Sequence, residues 1–203
     1  MGYWTTKDFN VFKKEGLDAR MEGLDMQIRP KFHELGEEFS EELAAKLGRE
    51  MFPHVAKHAR RTVNPPKDSW VAFAPYKRGY KALPHFQIGL WESHLFIVLA
   101  VIYEVPSKTA IADKLMKQTS LVTNLPGDFV ISGDHMKPDA ESITKDHVAH
   151  YLTGLSTVKK AELVIGRHIA REEAVKLSKK EFKQLVSDTF EELLPLYQKM
   201  TEV

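Results

Sequence analysis

Two apolar segments joined by a short turn are the feature that most constrains the fold of this chain. Residues 86–91 (FQIGLW) and 95–103 (LFIVLAVIY) are short, rich in β-branched and aromatic side chains, and separated around Glu92 and Ser93. Such a pair predicts a β-hairpin, and the second run is apolar throughout, as is typical of a central strand buried on both faces. A hairpin pairs its strands antiparallel, so we predict an α+β fold with a curved, largely antiparallel sheet packed against long helices.

A long amphipathic helix is predicted ahead of this hairpin. Between Pro30 and Leu47 apolar side chains recur every three or four residues, which is the period of one helix face, and Gly48 is a suitable C-terminal stop. The preceding segment 16–30 has two glycines, three acids and little periodicity, so it is expected to be irregular. We therefore expect residues 1–203 to form a single domain in which 1–28 is a possible N-terminal arm.

A second long helix is predicted at the C-terminal end. Ser178 and Glu181 have the spacing of a capping box, and a strongly amphipathic segment follows them. Pro195 is expected to end or kink this helix near residues 191–194. The other predicted elements are strands at 70–74, 129–132 and 162–169, a helix from Ser107 to about Thr119, and a helix from Ser142 or Thr144 to about Leu155.

Composition excludes several classes of protein. The chain has no cysteine, so neither a disulfide framework nor a thiolate nucleophile or ligand is available. The longest apolar run is too short to span a bilayer, which needs about 20 apolar residues. No apolar signal core follows the first methionine. We therefore expect a cytoplasmic protein with no membrane partner.

Positive charge is concentrated between Pro53 and Trp91. This stretch contains seven lysine and arginine residues and one acid, a local charge of +6, whereas the whole chain carries only +1. A nearly neutral chain that gathers its cations in one segment is expected to meet an anion there. The modest overall charge favours a small anionic or phosphate-bearing ligand, with nucleic acid as a possible partner.

The residues predicted to bind this ligand combine cations with polar and aromatic side chains. Arginine presents a planar set of donors that matches a phosphate or a carboxylate, and tyrosines between the cations could stack on a base. The predicted ligand-binding residues are His58, Arg60, Arg61, Asn64, Arg78, Tyr80, Lys81 and His85. In the alternative interpretation, the stretch is a solvated loop whose cations pair with the acids of the 30–47 helix, and the chain is a structural or regulatory interaction protein without a ligand site.

Histidines and acids elsewhere suggest an enzyme as another alternative. Histidine and aspartate near arginines can transfer protons or hold a catalytic metal while the arginines hold an anionic substrate. The secondary candidates for such a site are His54, Asp134, His135, Arg167 and His168. No H-E-x-x-H, G-x-S-x-G, P-loop or G-x-G-x-x-G motif is present, and we predict no metal and no cofactor.

Several longer motifs resemble a known family. The segments HARRTVNPP (58–66) and RGYKALPHFQIGLW (78–91) are similar to the YktB-like family, small uncharacterised proteins of Bacillus and its relatives. Shorter segments that fit the same family are GLDARM (16–21), IRPK (28–31), GDH (133–135), VKK (158–160) and LLPLY (193–197). The resemblance implies a TATA-binding-protein-like, helix-grip architecture, in which a curved antiparallel sheet grips a long helix. It implies no activity, because that fold hosts many unrelated functions.

Overall fold

A computed structural model describes residues 2–202, which form one seven-stranded sheet with helices packed against it. Every neighbouring pair of strands is antiparallel, in the order β1-β2-β3-β4-β7-β5-β6. The strands are β1 (Phe52–Val55), β2 (Asp68–Ala74), β3 (His85–Trp91), β4 (His94–Val101), β5 (Phe129–Ser132), β6 (Glu141–Ser142) and β7 (Leu163–Ala170). The predicted α+β class with an antiparallel sheet is confirmed.

Eight α-helices connect or flank these strands in the described part of the chain. They are α1 (Thr6–Asn10), α2 (Leu17–Gly23), α3 (Arg29–Leu47), α4 (Lys108–Met116), α5 (Ser120–Thr123), α6 (Lys145–Thr157), α7 (Arg171–Ala174) and α8 (Lys179–Thr201). No helix among them combines the length and the apolar character that crossing a membrane requires.

The hairpin at the centre of the sheet is the predicted one. Strands β3 and β4 pair from His85 opposite Ala100 to Leu90 opposite Leu95, and every residue of both strands is buried. Burial on both faces explains why β4 needs apolar side chains at consecutive positions. Strand β7 pairs with the other edge of β4, so the hairpin lies in the middle of the sheet.

The N-terminal segment differs from the irregular stretch that its sequence indicated. Helix α2 continues through a π-helical turn at Leu24–Ile28 directly into α3, so the chain is helical from residue 17 to residue 47. The side chains of Leu24 and Ile28 are fully buried. They extend the apolar stripe of α3 by two steps of four residues, and tertiary packing outweighs the glycines that obscure the pattern.

The C-terminal helix runs further than its proline suggested. Helix α8 continues past Pro195 to Thr201, so the expected end near 191–194 is wrong. The last turns remain helical because they are packed: Tyr197 is fully buried and its ring lies 4.8 Å from that of Phe86. Burial of large side chains offsets the one backbone hydrogen bond that a proline removes.

The two faces of the sheet have different characters. Helices α3 and α8 cover one face, where Phe73 and Phe86 contact Phe190 of α8. Side chains alternate between faces along a strand, so the neighbours of these residues point to the other side. That other side, which we call the polar face, carries Asp68, Trp70, His85, Gln87, Trp91, His94 and His168.

Two strand glycines allow close approach of neighbouring strands. A Cβ atom on Gly89 would lie 2.1 Å from the ring of Phe96, which covers the glycine from the adjacent strand. A Cβ atom on Gly166 would lie 2.1 Å from the carbonyl oxygen of Ile97. A larger residue at position 89 would displace the Phe96 ring, whereas one at position 166 would displace the backbone of the neighbouring strand.

Candidate functional site: a basic groove beside an edge strand

A large open groove lies along the edge strand β1. It has a volume of about 1400 Å³ and is bounded by α3, by β1 and by the loop 76–83. Its cationic lining residues are Arg29, Lys57, Lys77, Arg78 and Lys81, and its acidic ones are Asp25, Glu37 and Glu104. We call it the β1 groove. A helix, a strand and a loop form its walls, and ligand clefts are commonly built in this way.

Three cations of the β1 groove have no acidic partner in the described chain. Arg29 pairs with Asp25 and also donates to the carbonyl oxygen of Lys57 at 2.8 Å, while Lys81 lies 3.1 Å from a carboxylate oxygen of Glu104. Within residues 2–202, no carboxylate forms an ion pair with the remaining cations Lys57, Lys77 and Arg78. Their charge is open to a ligand.

Two acids of α3 are paired with α8. Glu34 lies 2.7 Å from Lys179 and 3.2 Å from Lys183, and Glu38 also pairs with Lys183. Both lysines belong to α8, so helix–helix ion pairs use these carboxylates. Glu37 lines the β1 groove itself, but among the described residues no ion pair joins an acid of α3 to a cation of the basic stretch, as the alternative interpretation requires.

The predicted ligand-binding residues divide between two places. Arg78, Tyr80 and Lys81 line the β1 groove, whereas Arg60, Arg61 and Asn64 lie on a separate loop that does not. The Arg61 guanidinium donates to the Asn64 carbonyl oxygen at 3.3 Å, which is a contact within the loop itself. The sequence placed all these residues in one site because they are close along the chain, but strand β2 separates the two loops.

His58 begins the separate loop and is held by the sheet. Its φ angle of 51° is in the left-handed region, which histidine adopts more readily than most residues. Its Nε2 atom lies 3.2 Å from the Ser69 hydroxyl, and its ring meets that of Trp70 edge-on at 5.6 Å. Burial, with Arg61 and Arg29 nearby, lowers its pKa to about 4, so His58 is neutral at physiological pH.

His54 and Tyr80 form the aromatic wall of the groove. His54 donates from Nε2 to the Tyr76 carbonyl oxygen at 2.9 Å, and its ring lies 5.5 Å from that of Tyr80. The Tyr80 hydroxyl accepts a 3.0 Å hydrogen bond from Trp70, and burial raises its pKa to about 12. Tyr80 therefore stays protonated, and its hydroxyl group can donate a hydrogen bond to an anion in the groove.

His85 is a structural residue of the polar face. It is fully buried, its Nδ1 atom donates to the Leu83 carbonyl oxygen at 2.7 Å, and its Nε2 atom accepts from Gln87 at 2.8 Å. Both ring nitrogens are thus occupied. Burial lowers the pKa of His85 to about 4, and the neutral ring is locked in one tautomer.

The secondary candidates also lie in different places. Arg167 faces the helices, where it donates to Asp128 at 2.6 Å and to the Thr189 hydroxyl at 2.8 Å, so it takes no part in the polar face. His168 stacks on His94 with ring centroids 4.2 Å apart. Burial lowers the pKa of His168 to about 4 and that of His94 to about 3, so both rings are neutral.

Asp134 and His135 lie together on the loop after β5. The Nδ1 atom of His135 is 2.7 Å from Glu162, whose carboxylate also accepts the backbone N–H groups of His135 and Tyr103. Burial opposes the charged imidazole, but the hydrogen bond to Glu162 and its charge outweigh burial and raise the pKa of His135. The acidic partner of His135 is thus Glu162, whereas Asp134 lies 3.4 Å from Lys137.

Sequence reasoning did not select six of the residues that matter most in these sites. Arg29 and His33 reach the β1 groove from α3, and Lys57 and Lys77 reach it from the chain after β1 and after β2. Asp68 and Glu162 are buried, the latter beside His135. Asp68 carried a signal, because it is the single acid of the basic stretch. Arg29 and His33 carried no such signal in the sequence, except that they lie on the side of the helix opposite its apolar stripe.

The fold and the groove define an antiparallel α+β protein with a basic cleft at one sheet edge. The chain belongs to the family described as "Domain of unknown function (DUF1054)", whose model matches residues 4–197. The resemblance to uncharacterised proteins of the Bacillus type is confirmed.

Relatives named UPF0637 protein match this chain over nearly its full length. The one from Lysinibacillus sphaericus is 59% identical over 197 residues, covering 96% of this chain and 93% of the relative. Those from Bacillus velezensis and Exiguobacterium sibiricum are 50% and 46% identical, and cover 96% and 98% of this chain and 94% and 98% of their own lengths.

Proposed function

We propose that this protein binds a small anionic ligand, bearing phosphate or carboxylate groups, in the β1 groove. The observation that carries the proposal is the set of cations Lys57, Lys77 and Arg78, which have no acidic partner among residues 2–202, on the wall of one groove of about 1400 Å³. Hydrogen bonds from charged donors to an anion contribute about 1.5–3 kcal/mol each. Three such donors supply at most about 9 kcal/mol, of which at least about 4 kcal/mol is lost on association, so the cations alone support a Kd of about 0.1–1 mM and tighter binding needs further contacts.

The aromatic wall favours a ligand with a planar part as well as a charge. Tyr76 is 65% exposed beside the cations, and Tyr80 presents its hydroxyl group nearby. An exposed tyrosine next to lysine and arginine can stack on a base or another flat ring. A nucleotide combines these two properties, so mononucleotides are the first ligands to test.

Nucleic acid is a weaker candidate than a small ligand. The five cations of the groove share it with three acids, and the rest of the chain is close to neutral. Proteins dedicated to duplex DNA have a broader cationic face. A single-stranded oligonucleotide is nevertheless included in the test, because the logarithm of its affinity should fall linearly with the logarithm of the salt concentration, with a slope set by the number of phosphates neutralised.

An enzyme that uses His85 or His135 together with the arginines of the β1 groove in one site is not favoured by this arrangement. The cations line the β1 groove, whereas His85 has both ring nitrogens occupied and His135 is paired with Glu162 on the loop after β5.

We further propose a cytoplasmic location, from the absence of cysteine, and a TATA-binding-protein-like architecture, from the antiparallel sheet packed on α8.

Calorimetric titration with pyrophosphate, ATP, citrate and a single-stranded oligonucleotide tests the proposed function. The double variant Lys77→Ala/Arg78→Ala should weaken binding at least about tenfold, since it removes two charged donors from the groove. The matched control is Arg60→Ala/Arg61→Ala, which removes the same charge from the loop outside the groove and should change affinity less than about twofold. Absence of binding by every probe, or equal losses in the two variants, would contradict the proposal.

A further inference from the structure

A cluster of metal-ligating groups lies outside the β1 groove, at the ends of strands β5 and β7. The ligand atoms of Asp134, His135 and Glu162 all lie within 4.8 Å of one another. Asp134 and His135 follow strand β5, and Glu162 immediately precedes strand β7, which pairs with β5. Two adjacent strand ends thus bring together residues that are 27 positions apart.

The protein holds this cluster in place with backbone hydrogen bonds. Glu162 accepts the Tyr103 N–H at 3.2 Å and the His135 N–H at 2.8 Å, and its side chain is only 4% exposed. An Asp134 oxygen accepts the Met136 N–H at 2.9 Å, which fixes the turn that follows. The ligand atoms are therefore positioned before any ion arrives, and little conformational entropy is lost on binding.

A buried carboxylate lies on the polar face near this cluster. Asp68 is 4% exposed, and its backbone N–H group donates a hydrogen bond that favours its charged form. It lies opposite Trp91, which lines the same small cavity as His135, and the charge of His135 acts on it. Burial makes this acid costly to ionise, and a bound cation close to it would offset that cost.

The small cavity beside the cluster has room for one further ligand. Its volume is about 20 Å³, enough for a single water molecule, and its lining includes Ser132, Asp134, His135 and Lys137, whose ammonium group lies 3.4 Å from an Asp134 oxygen and would move away from a bound ion. An ion held by three protein groups needs such a place for the water that completes its coordination.

We propose that Asp134, His135 and Glu162 bind one divalent first-row transition-metal ion, with Asp68 as a nearby carboxylate that favours its charge. One imidazole and two carboxylates suit Zn²⁺, Co²⁺, Mn²⁺ and Fe²⁺, whereas Mg²⁺ and Ca²⁺ prefer sites made of oxygen alone. Ligand atoms at about 2.0–2.2 Å from a tetrahedral metal lie about 3.3–3.6 Å apart, so the side chains must adjust on binding: the 2.7 Å contact between His135 Nδ1 and Glu162 lengthens, and any separation of up to 4.8 Å shortens. The proton now shared between His135 and Glu162 leaves to solvent when the ion takes its place.

Titration of the full, tag-free chain with Co²⁺ and Zn²⁺ tests this site. After treatment with a chelator and its removal, Co²⁺ should produce visible absorbance bands that saturate at one ion per chain, and calorimetry with Zn²⁺ should give the same stoichiometry. Mg²⁺ at the same concentration should not displace Co²⁺. His135→Gln should weaken binding at least about tenfold and shift the Co²⁺ bands, because a nitrogen ligand is lost.

Two further variants make the result decisive. Asp134→Asn keeps the acceptor for the Met136 N–H but loses the ligand charge, so it should fold normally and bind at least about tenfold more weakly. His147→Gln is the control, because His147 lies 3.8 Å from Glu141 in an exposed histidine–acid pair outside the cluster, and it should bind like the unmodified chain. The proposal is overturned if neither Co²⁺ nor Zn²⁺ binds more tightly than about 0.1 mM, or if the Asp134 and His147 variants behave alike.

Discussion

Replacement of Asp68 by asparagine should stabilise the metal-free protein at neutral and alkaline pH. Burial raises the pKa of Asp68 from 3.8 to about 6, although the charges of His135 and Arg61 oppose the shift. Between these two pH values the folded state holds more protons than the unfolded state, so stability falls as pH rises through the window. The penalty is complete above about pH 6 and amounts to about 3 kcal/mol.

Asparagine is nearly isosteric and cannot ionise, so Asp68→Asn removes this penalty and little else. Urea unfolding in the presence of a chelator should show a gain of about 3 kcal/mol at pH 8 and about half as much at pH 5. For a chain of this length such a gain at pH 8 corresponds to roughly 5–10 °C in Tm. Asp128→Asn is the control, since Asp128 is an exposed carboxylate paired with Arg167, and its removal should give no gain.

A pH-independent difference between Asp68→Asn and the unmodified chain would refute this reasoning. A loss of stability would mean that the carboxylate has a favourable partner in the folded protein. Either result would also mean that the buried charge of Asp68 gives no support to the metal site. Added Co²⁺ offers an internal check, because it should stabilise the unmodified chain more than the variant.

Three further changes should alter stability by amounts that the structure sets. Between pH 7 and pH 5 the free energy of unfolding of the unmodified chain should fall by about 2 kcal/mol more than that of a His85→Gln variant in urea unfolding. Burial lowers the His85 pKa to about 4, so the unfolded chain takes up the proton at a higher pH than the folded chain does. A difference between the two proteins that stays constant with pH would contradict this. Gly166→Ala should cost about 3 kcal/mol or more, since its Cβ would lie 2.1 Å from the Ile97 carbonyl oxygen, and an unaltered urea midpoint would show that the strands can separate. Ser178→Ala should cost about 1 kcal/mol in the same assay, because the Ser178 side chain caps α8 by accepting the Glu181 N–H, and an effect below about 0.3 kcal/mol would show that this cap is dispensable.

Local sequence patterns predicted the central hairpin and the long helices well. Strand β4 is apolar at consecutive positions because both of its faces are covered, and α3 shows its period because one side is covered and the other is not. The continuation of α3 back to residue 17 was hidden by glycine and by the proline at position 30, although Leu24, Ile28 and Phe32 keep a spacing of four. Pattern reading fails where packing supports a residue that propensity disfavours, as it does at Pro195 in α8.

The candidate sites were less predictable, because they depend on which loops meet in space. Arg61 and Arg78 belong to the same basic stretch, but strand β2 separates their loops and only Arg78 lines the β1 groove. Conversely, Asp134 and Glu162 are distant in the sequence but close at adjacent strand ends. Charge density along a chain indicates that a ligand is expected, but strand order decides which of the charges can contact it together.

Amide chemical-shift mapping with pyrophosphate is the most direct test of the β1 groove as an anion site. In ¹⁵N-labelled protein, saturable shifts should cluster at residues 54–57 and 76–81, with smaller ones near Arg29 and His33 across the groove. Shifts confined to the loop 58–64, or a spectrum that pyrophosphate leaves unchanged, would contradict the account.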